Sequence, residues 1–202
     1  RRIKWSCLTR VDNVDYYLLD HMKQAGCIRV EFGIESGSRR MLEYLKKGVT
    51  IQQIKEAFFM AKRLGLSTMC FAMINIPGET SADIAETKRL IMEIDPDFLQ
   101  LSFATPYPGT ELYESCVRSR LLKSKDWRKY IFLNYQIINN NFIKEAELKR
   151  LMWDIQRSFY LRPKYIFMIL LYIFKNPVGF KTIAWASLNA LKKLLLEQQE
   201  KS

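Results

Sequence analysis

Hydrophobic positions alternate with polar ones, then recur at helical spacing, four times over about the first 110 residues. Ile3-Lys4-Trp5-Ser6-Cys7-Leu8 alternates as a strand does, and Thr9-Arg10-Val11-Asp12 follows as a loop. Asp15 to Ala25 carries Tyr16, Leu18, Leu19 and Met22 at helical spacing and stops at Gly26. Cys27 to Gly33 reads as the second strand, with Ser38 the N-cap of a short helix through Tyr44. Thr50 opens a longer helix whose Ile51, Ile54, Ala57, Phe58 and Leu64 form one stripe, ended by Gly65. Thr68 to Ile76 is nearly all apolar, as expected of a parallel strand buried on both faces. Thr80-Ser81-Ala82-Asp83 starts the next helix, with Ile84, Leu90, Ile91 and Ile94 on its apolar side and Pro96 at its end. Phe98 to Phe103 is the fourth strand, and Gly109 to Tyr113 begins another helical turn.

Strands and helices in this alternation predict parallel βα units with right-handed crossovers. The fold class is therefore α/β, a partial (β/α) barrel of about four βα units over residues 1–116. An α-helical C-terminal extension over 117–202 follows it, where the βα rhythm stops. Asn139-Asn140-Asn141 marks a loop there, and Glu145 to Tyr160 sets Leu148, Leu151, Met152, Ile155 and Phe159 on one face. An unbroken apolar run from Tyr165 to Phe174 comes next, and Thr182 to Leu196 reads as a final amphipathic helix. The run is half the length needed to cross a bilayer, which takes about twenty residues. It predicts either a helix packed on the barrel or one lying in a membrane interface.

Charge divides the chain in the same place. Residues 1–116 hold 15 Lys and Arg against 15 Asp and Glu, whereas residues 117–202 hold 17 against 6, so the whole net charge of +11 belongs to the extension. A basic extension suits a membrane surface, a nucleic acid or an acidic partner, and equally a simply solvated face, with nothing in the pattern specific for nucleic acid. The chain starts at Arg1 rather than methionine, which predicts an internal start and a longer natural protein. No secretory signal opens it, and the absence of a disulfide pattern points to the cytoplasm, with membrane association through 164–175 as an added expectation. Cys7, Cys27, Cys70 and Cys116 are too widely spaced for a zinc or iron–sulfur motif, and the first three sit in apolar runs as core residues do. A single histidine, His21, excludes a multi-histidine metal site within these residues.

Candidate chemistry gathers where strands end. Gly33-Ile34-Glu35-Ser36-Gly37 places a carboxylate and a hydroxyl between glycines, suited to a ligand with hydroxyl or ammonium groups and equally to a helix-capping turn. Ile76-Pro77-Gly78-Glu79-Thr80 is a turn signal with helix-start charge, and Asn75 precedes it in the strand. Pro106-Tyr107-Pro108-Gly109-Thr110 forms a stiff entry to a helix, presenting Tyr107 to a substrate or packing it on the barrel rim. Arg10, at the end of the first strand, suits a carboxylate ligand or a surface pair with Asp12 or Asp15.

Taken in order, Arg10-Val11-Asp12, Met22-Lys23-Gln24-Ala25-Gly26-Cys27 and these three strings resemble the radical SAM enzymes. The resemblance is to the subgroup that carries an N-terminal cobalamin-binding domain, the relatives of the magnesium-protoporphyrin oxidative cyclase, and it covers residues 1 to about 116. Tyr160-Leu161-Arg162-Pro163 and the apolar run after it look like that subgroup's tail. The resemblance implies the C-terminal half of a (β/α)6 barrel, the third to sixth strands. It also implies a [4Fe–4S] cluster on an upstream CxxxCxxC loop that, once reduced, cleaves S-adenosylmethionine to a 5′-deoxyadenosyl radical. By position it places Glu35 and Ser36 at the methionine or ribose part of S-adenosylmethionine, and Arg10 at the third strand's end, from which the polar groups of S-adenosylmethionine can be reached. Asn75, Ile76 and Pro77 fall beside its adenine, and Tyr107 on the substrate side. The family's fifth strand normally ends Gly-x-Pro-Gly-Glu-Thr, and here Asn75 stands at the first glycine. Cluster ligands are absent from this sequence, so no catalytic or metal residue is assigned, and cobalamin would need a further domain.

Three functions compete on this reading. The first is part of a radical SAM enzyme acting on a small-molecule or lipid-like substrate, inactive as this chain alone. The second is a non-catalytic half barrel serving as a scaffold or as a membrane- or partner-docking module. The third is a metal-independent βα enzyme using Glu35 as acid or base, which would need a second catalytic group near it. An open sheet edge predicts self-association of the isolated chain, which light scattering checks: a clean monomer would contradict it.

Overall fold

A computed structural model describes residues 3–130, 136–167 and 171 of the chain. Contacts divide the chain into two compact units, Arg1–Phe159 and Tyr160–Ser202. Within the first, strands β1 (Trp5–Thr9), β2 (Cys27–Glu35), β3 (Ser67–Ile74) and β4 (Phe98–Phe103) form one parallel sheet in the order β1-β2-β3-β4. Helices α1 (Tyr16–Gln24), α2 (Arg39–Tyr44), α3 (Ile51–Arg63), α4 (Ser81–Ile94) and α5 (Glu111–Arg118) follow the strands, and α6 (Glu145–Tyr160) comes after an irregular stretch. Helical starts sit where short polar side chains cap them. Asp15 accepts from the Leu18 amide at 2.7 Å, and Thr50 with Gln53 and Thr80 with Asp83 form reciprocal capping boxes.

Strand order without reversal is what a barrel requires. Successive right-handed crossovers then lay every helix on the same face of the sheet. Side chains on that face are closed from solvent: Val30, Phe32 and Ile34 in β2, Thr68, Cys70, Ala72 and Ile74 in β3, Leu99, Leu101 and Phe103 in β4. Phe32 packs on Phe58 of α3, ring centroids 5.0 Å apart. The register aligns the alternate residues across the sheet: Leu8 with Glu31, Glu31 with Met69, Met69 with Phe98, and Phe71 with Gln100. These positions are half-buried or exposed. The expectation that β3 is buried on both faces is thus corrected. Its Met69, Phe71 and Met73 face the other side of the sheet and are only half-buried, Met73 packing against an apolar cluster beyond the strand ends.

The capping role expected of Ser38 is also corrected. It holds the N-cap position of α2 without a capping hydrogen bond, because its hydroxyl donates to Asp83 of α4 at 2.6 Å. Cys27, Cys70 and Cys116 are buried thiols and Cys7 is half-buried. Beyond β4, Ile137 and Ile138 join Met41, Ile76, Ala104, Cys116 and Tyr130 in one apolar cluster. The helix expected over 182–196, and the apolar run beyond Phe167 apart from Leu171, lie outside the described residues. Among the described residues no helix is long and apolar enough to cross a membrane.

Candidate functional site

Glu35 ends β2 in an unusual conformation. Its φ is +63°, and the Ser36 amide donates back to the Ile34 carbonyl at 2.8 Å, which makes Glu35 the centre of a γ-turn of the rare, strained type. Just before it the β2–β3 register slips between Gly33 and Glu35, so Ile34 is the extra residue of a bulge. Bulges and strained residues concentrate where a fold aims a side chain at a ligand. Here the turned carboxylate folds back over Gly33, where an added Cβ would stand 2.6 Å from its Oε1.

Lys47 completes this corner, and the sequence pattern did not single it out. Its Nζ donates to Glu35 Oε1 at 2.8 Å, with the two side chains only 17% and 26% exposed. The tight turn that delivers it uses Lys46 and Gly48, both at positive φ. Arg10 holds the turn from the other side. Its Nη2 donates to the Lys47 carbonyl at 2.7 Å, while Nε and Nη2 clasp Asp12 at 2.9 and 2.8 Å. Of the two partners open to Arg10 in the sequence, Asp12 is the one it takes. The result is an ammonium, from the turn between α2 and α3, set against a carboxylate at the carboxyl end of β2, the end of the strands where (β/α) barrels bind their ligands. A spacing signal existed in Lys47, twelve residues after Glu35 across a helix, but only the turn brings the two together.

Ser36 is fully buried and committed to the scaffold. Its hydroxyl shares a hydrogen bond of 3.1 Å with Thr87 of α4 and accepts the Ser38 amide at 3.1 Å. The Gly37 amide donates to the same Thr87 hydroxyl at 2.9 Å. Asp83 anchors the neighbouring corner, accepting from Ser38, Arg40 and both the amide and hydroxyl of Thr80. Against the cost of burial, the hydrogen bonds from Arg40, Ser38 and Thr80 hold its carboxyl well below the usual carboxylate range.

The end of β3 is built on a second carboxylate. Glu79 is fully buried, and its Oε2 accepts the amides of Asn75 at 2.5 Å and Ile76 at 3.1 Å. Burial pushes its pKa up from 4.5 to about 8, although the two amides oppose this. Asn75 itself has φ +68°, a conformation natural to glycine and tolerated by asparagine, which is how it occupies a position where the resembling family has glycine. Its Nδ2 donates to the Ile138 carbonyl at 3.0 Å, and Asn140 Nδ2 donates to the Glu79 carbonyl at 3.1 Å. The asparagine-rich loop therefore clamps the β3 end. Pro77 is buried beside it. Asn75 Oδ1 and Glu79 Oε1 are buried and accept no hydrogen bond among the described residues. After β4, Tyr107 is 45% exposed and its ring lies obliquely to that of Tyr130, centroids 6.3 Å apart, while Tyr130 in turn lies 5.3 Å from Trp127.

The profile of the Radical SAM superfamily matches residues 1–91. An uncharacterized methyltransferase of Pyrococcus horikoshii is 38% identical over 162 residues, spanning 80% of this chain and 35% of that protein. The chain belongs to the radical SAM superfamily. The anaerobic magnesium-protoporphyrin IX monomethyl ester cyclase of Cereibacter sphaeroides is 27% identical, spanning 80% of this chain and 26% of its own length. The chain thus spans about a quarter to a third of the length of these curated relatives. Among solved structures, coproporphyrinogen III oxidase from Escherichia coli, a radical SAM enzyme, superposes with a TM-score of 0.58 at 14% identity. That match spans 78% of this chain and 32% of the other. The radical S-adenosylmethionine methyltransferase TsrM from Kitasatospora setae, solved with cobalamin and a [4Fe–4S] cluster bound, gives 0.53 at 20% identity over 58% of this chain and 22% of its own. These likenesses establish the fold: a partial radical SAM barrel.

The residues present fit one of the family's two cofactors. An adjacent ammonium and carboxylate complement the zwitterionic amino-acid end of S-adenosylmethionine. A cluster finds no such fit, since no group of three or more Cys, His, Asp or Glu that could hold a metal occurs among the described residues.

Proposed function

We propose that this chain is the S-adenosylmethionine- and substrate-facing part of a radical SAM enzyme whose cluster loop lies in another part of the same protein. The Glu35–Lys47 pair, set in a strained turn at the strand ends, carries the reading. Glu35 receives the ammonium or ribose hydroxyls of S-adenosylmethionine and Lys47 its carboxylate, separating as the ligand enters. Arg10 positions Lys47 through its carbonyl and lies within reach of the same polar groups. Ser36 holds the Glu35 turn against α4. Asn75, Ile76 and Pro77 flank the adenine, and Tyr107 stands on the side of a small-molecule or lipid-like substrate. When bound with a reduced cluster, S-adenosylmethionine supplies the radical that begins the chemistry. Cobalamin would belong to a further domain.

Anaerobic cluster reconstitution of the full-length protein tests this, reading cluster absorbance and formation of 5′-deoxyadenosine. Both signals are expected in the full-length protein and neither in the 202-residue chain. Lys47→Ala and Glu35→Gln in the full-length protein are expected to weaken S-adenosylmethionine binding about 10- to 100-fold, the worth of one charged hydrogen bond, with cluster absorbance unchanged. Unchanged affinity in both variants would overturn the site.

A second reading, a half barrel kept as a scaffold, draws on the lack of metal-ligand groups among the described residues. A cluster and S-adenosylmethionine cleavage in the full-length protein would exclude it.

A further inference from the structure

We propose that Tyr107, Tyr130 and Trp127 form a stacking platform for a planar, conjugated organic anion. That the anion is the enzyme's substrate rests on the function proposed above; the platform itself does not. The three rings stand in a row, Trp127 5.3 Å from Tyr130 and Tyr130 6.3 Å from Tyr107, tilted by 36° and 46°. Centroids about 4.5–7 Å apart mark interacting aromatic pairs. The middle ring is buried, whereas Tyr107 is exposed and Trp127 is 63% exposed. Each is held by its own backbone. Tyr107 stands between Pro106 and Pro108, and its carbonyl accepts the Thr110 hydroxyl at 2.6 Å and amide at 3.1 Å. Trp127 opens a one-turn helical segment capped by Asp126, which accepts the Arg128 amide at 3.1 Å. The Tyr130 hydroxyl donates to the Ser124 carbonyl at 3.2 Å. Aromatic faces fixed before a ligand arrives lose little freedom when it binds.

The row sits at the carboxyl ends of the strands. Tyr130 belongs to the apolar cluster that holds Ile76, just past β3, and Ala104, which continues β4 by donating its amide to the Ile74 carbonyl at 2.8 Å. Met73 and Tyr113 pack against the same cluster. The segment after Tyr107 also reaches the corner that holds Glu35 and Lys47. Lys46, next to Lys47, donates to Glu111 of α5 at 2.5 Å, and the hydroxyls of Tyr44 and Ser115 lie 3.3 Å apart. The platform and the Glu35–Lys47 pair thus share one end of the sheet, the end at which (β/α) folds gather a ligand from several loops.

Charge selects the ligand. Lys123, Lys125, Arg128 and Lys129 surround Trp127 in the chain, against Asp126 alone. Lys123 pairs with Glu145 at 2.7 Å and Arg128 with Asp126 at 2.9 Å, which leaves the Arg128 side chain 90% exposed. Lys125 and Lys129 are exposed as well. The ground beside the indole therefore carries an excess of positive charge, while the acid nearest Tyr107 in α5, Glu111, is neutralised by Lys46. A flat π system with a carboxylate or phosphate at its edge meets both features: its face stacks on the rings and its anionic edge meets the cations. A saturated anion lacks the face, and a planar cation meets like charge.

Calorimetric titration of the full-length protein with three probes of one carbon skeleton tests the proposal: naphthoate, decahydronaphthoate and naphthylmethylammonium. Naphthoate is expected to bind about tenfold more tightly than its saturated analogue. At low salt it is expected to exceed the planar cation about fivefold, a preference that narrows as salt rises. Trp127→Ala is expected to weaken naphthoate about tenfold and Trp127→Phe to restore most of the loss, while Lys125→Glu combined with Arg128→Glu reverses the charge preference. All three variants are surface changes, and a thermal melt matching wild type shows that each is folded. Equal binding of naphthoate and decahydronaphthoate, or wild-type affinity in Trp127→Ala, overturns the proposal. So does loss of a dimer in Trp127→Ala without any naphthoate binding, which would make the rings an interface between copies. S-adenosylmethionine affinity, measured on the same variants, is expected to stay at the wild-type value. Naphthoate binding that depends on Trp127, beside S-adenosylmethionine affinity indifferent to Glu35 and Lys47, would support the platform and overturn only the site proposed above.

Discussion

Glu79→Gln is expected to leave the protein folded and to flatten its loss of stability between about pH 5 and pH 9, whereas Glu79→Ala is expected to cost about 4 kcal/mol. The wild-type carboxyl titrates near 8 in the folded chain and near 4.5 when unfolded. Between those values the folded state holds a proton that the unfolded state has released. Stability from this group is therefore complete below about pH 4.5, falls as pH rises, and is lost above about 8, a span of roughly 3–5 kcal/mol at one group. Glutamine keeps an oxygen for the Asn75 and Ile76 amides and carries no proton to lose. Alanine removes the acceptor, leaving two buried amides unpaired, each costing about 1–3 kcal/mol, and opens a cavity. Urea denaturation of wild type and both variants at acid, neutral and alkaline pH gives the comparison. A wild-type pH slope identical to that of Glu79→Gln would show that Glu79 is ionised throughout.

Gly37→Ala is expected to destabilise the protein by about 3 kcal/mol, as overpacking against fixed atoms does, and, on the function proposed above, to weaken S-adenosylmethionine binding in the full-length protein. A Cβ at this position would lie 2.6 Å from Thr87 Cα and 2.7 Å from the Glu86 carbonyl oxygen, both backbone atoms of α4 that no rotamer change can move. Relief requires the β2–α2 loop to lift from α4. That movement breaks the Gly37–Thr87 and Ser36–Thr87 hydrogen bonds and frees the turn holding Glu35. Gly33→Ala is the control, because its nearest neighbours, the ends of the Glu35 and Lys47 side chains, can shift aside. Ligand binding should suffer there with a smaller loss in melting temperature. Equal melting temperatures for wild type and Gly37→Ala would mean that the loop does not depend on α4.

The sequence by itself determined the elements and their order. Period-two and helical spacing, with Asp15, Thr50 and Thr80 at helix starts and Gly26 and Gly65 at stops, act over a few residues. The predicted helix Glu145–Tyr160 and strand Phe98–Phe103 accordingly coincide with α6 and β4. The strand-end strings were legible for the same reason, since a turn and its cap are local. Tertiary structure decided what those strings touch. An apolar β3 is consistent with two covered faces or with one covered face and one lining a barrel, and only the strand order separates them. Arg10 had an acidic neighbour and a possible ligand, and the fold gave it Asp12 and the Lys47 carbonyl. Ser36 and Ser38 looked like capping residues, yet α4, 45 to 51 positions later, claims both hydroxyls. Asn75 and Glu79 meet the Asn140 loop across more than sixty residues. Capping and periodicity are properties of neighbouring residues, whereas a hydrogen-bond partner across the chain exists only after register and packing have brought it within 3 Å.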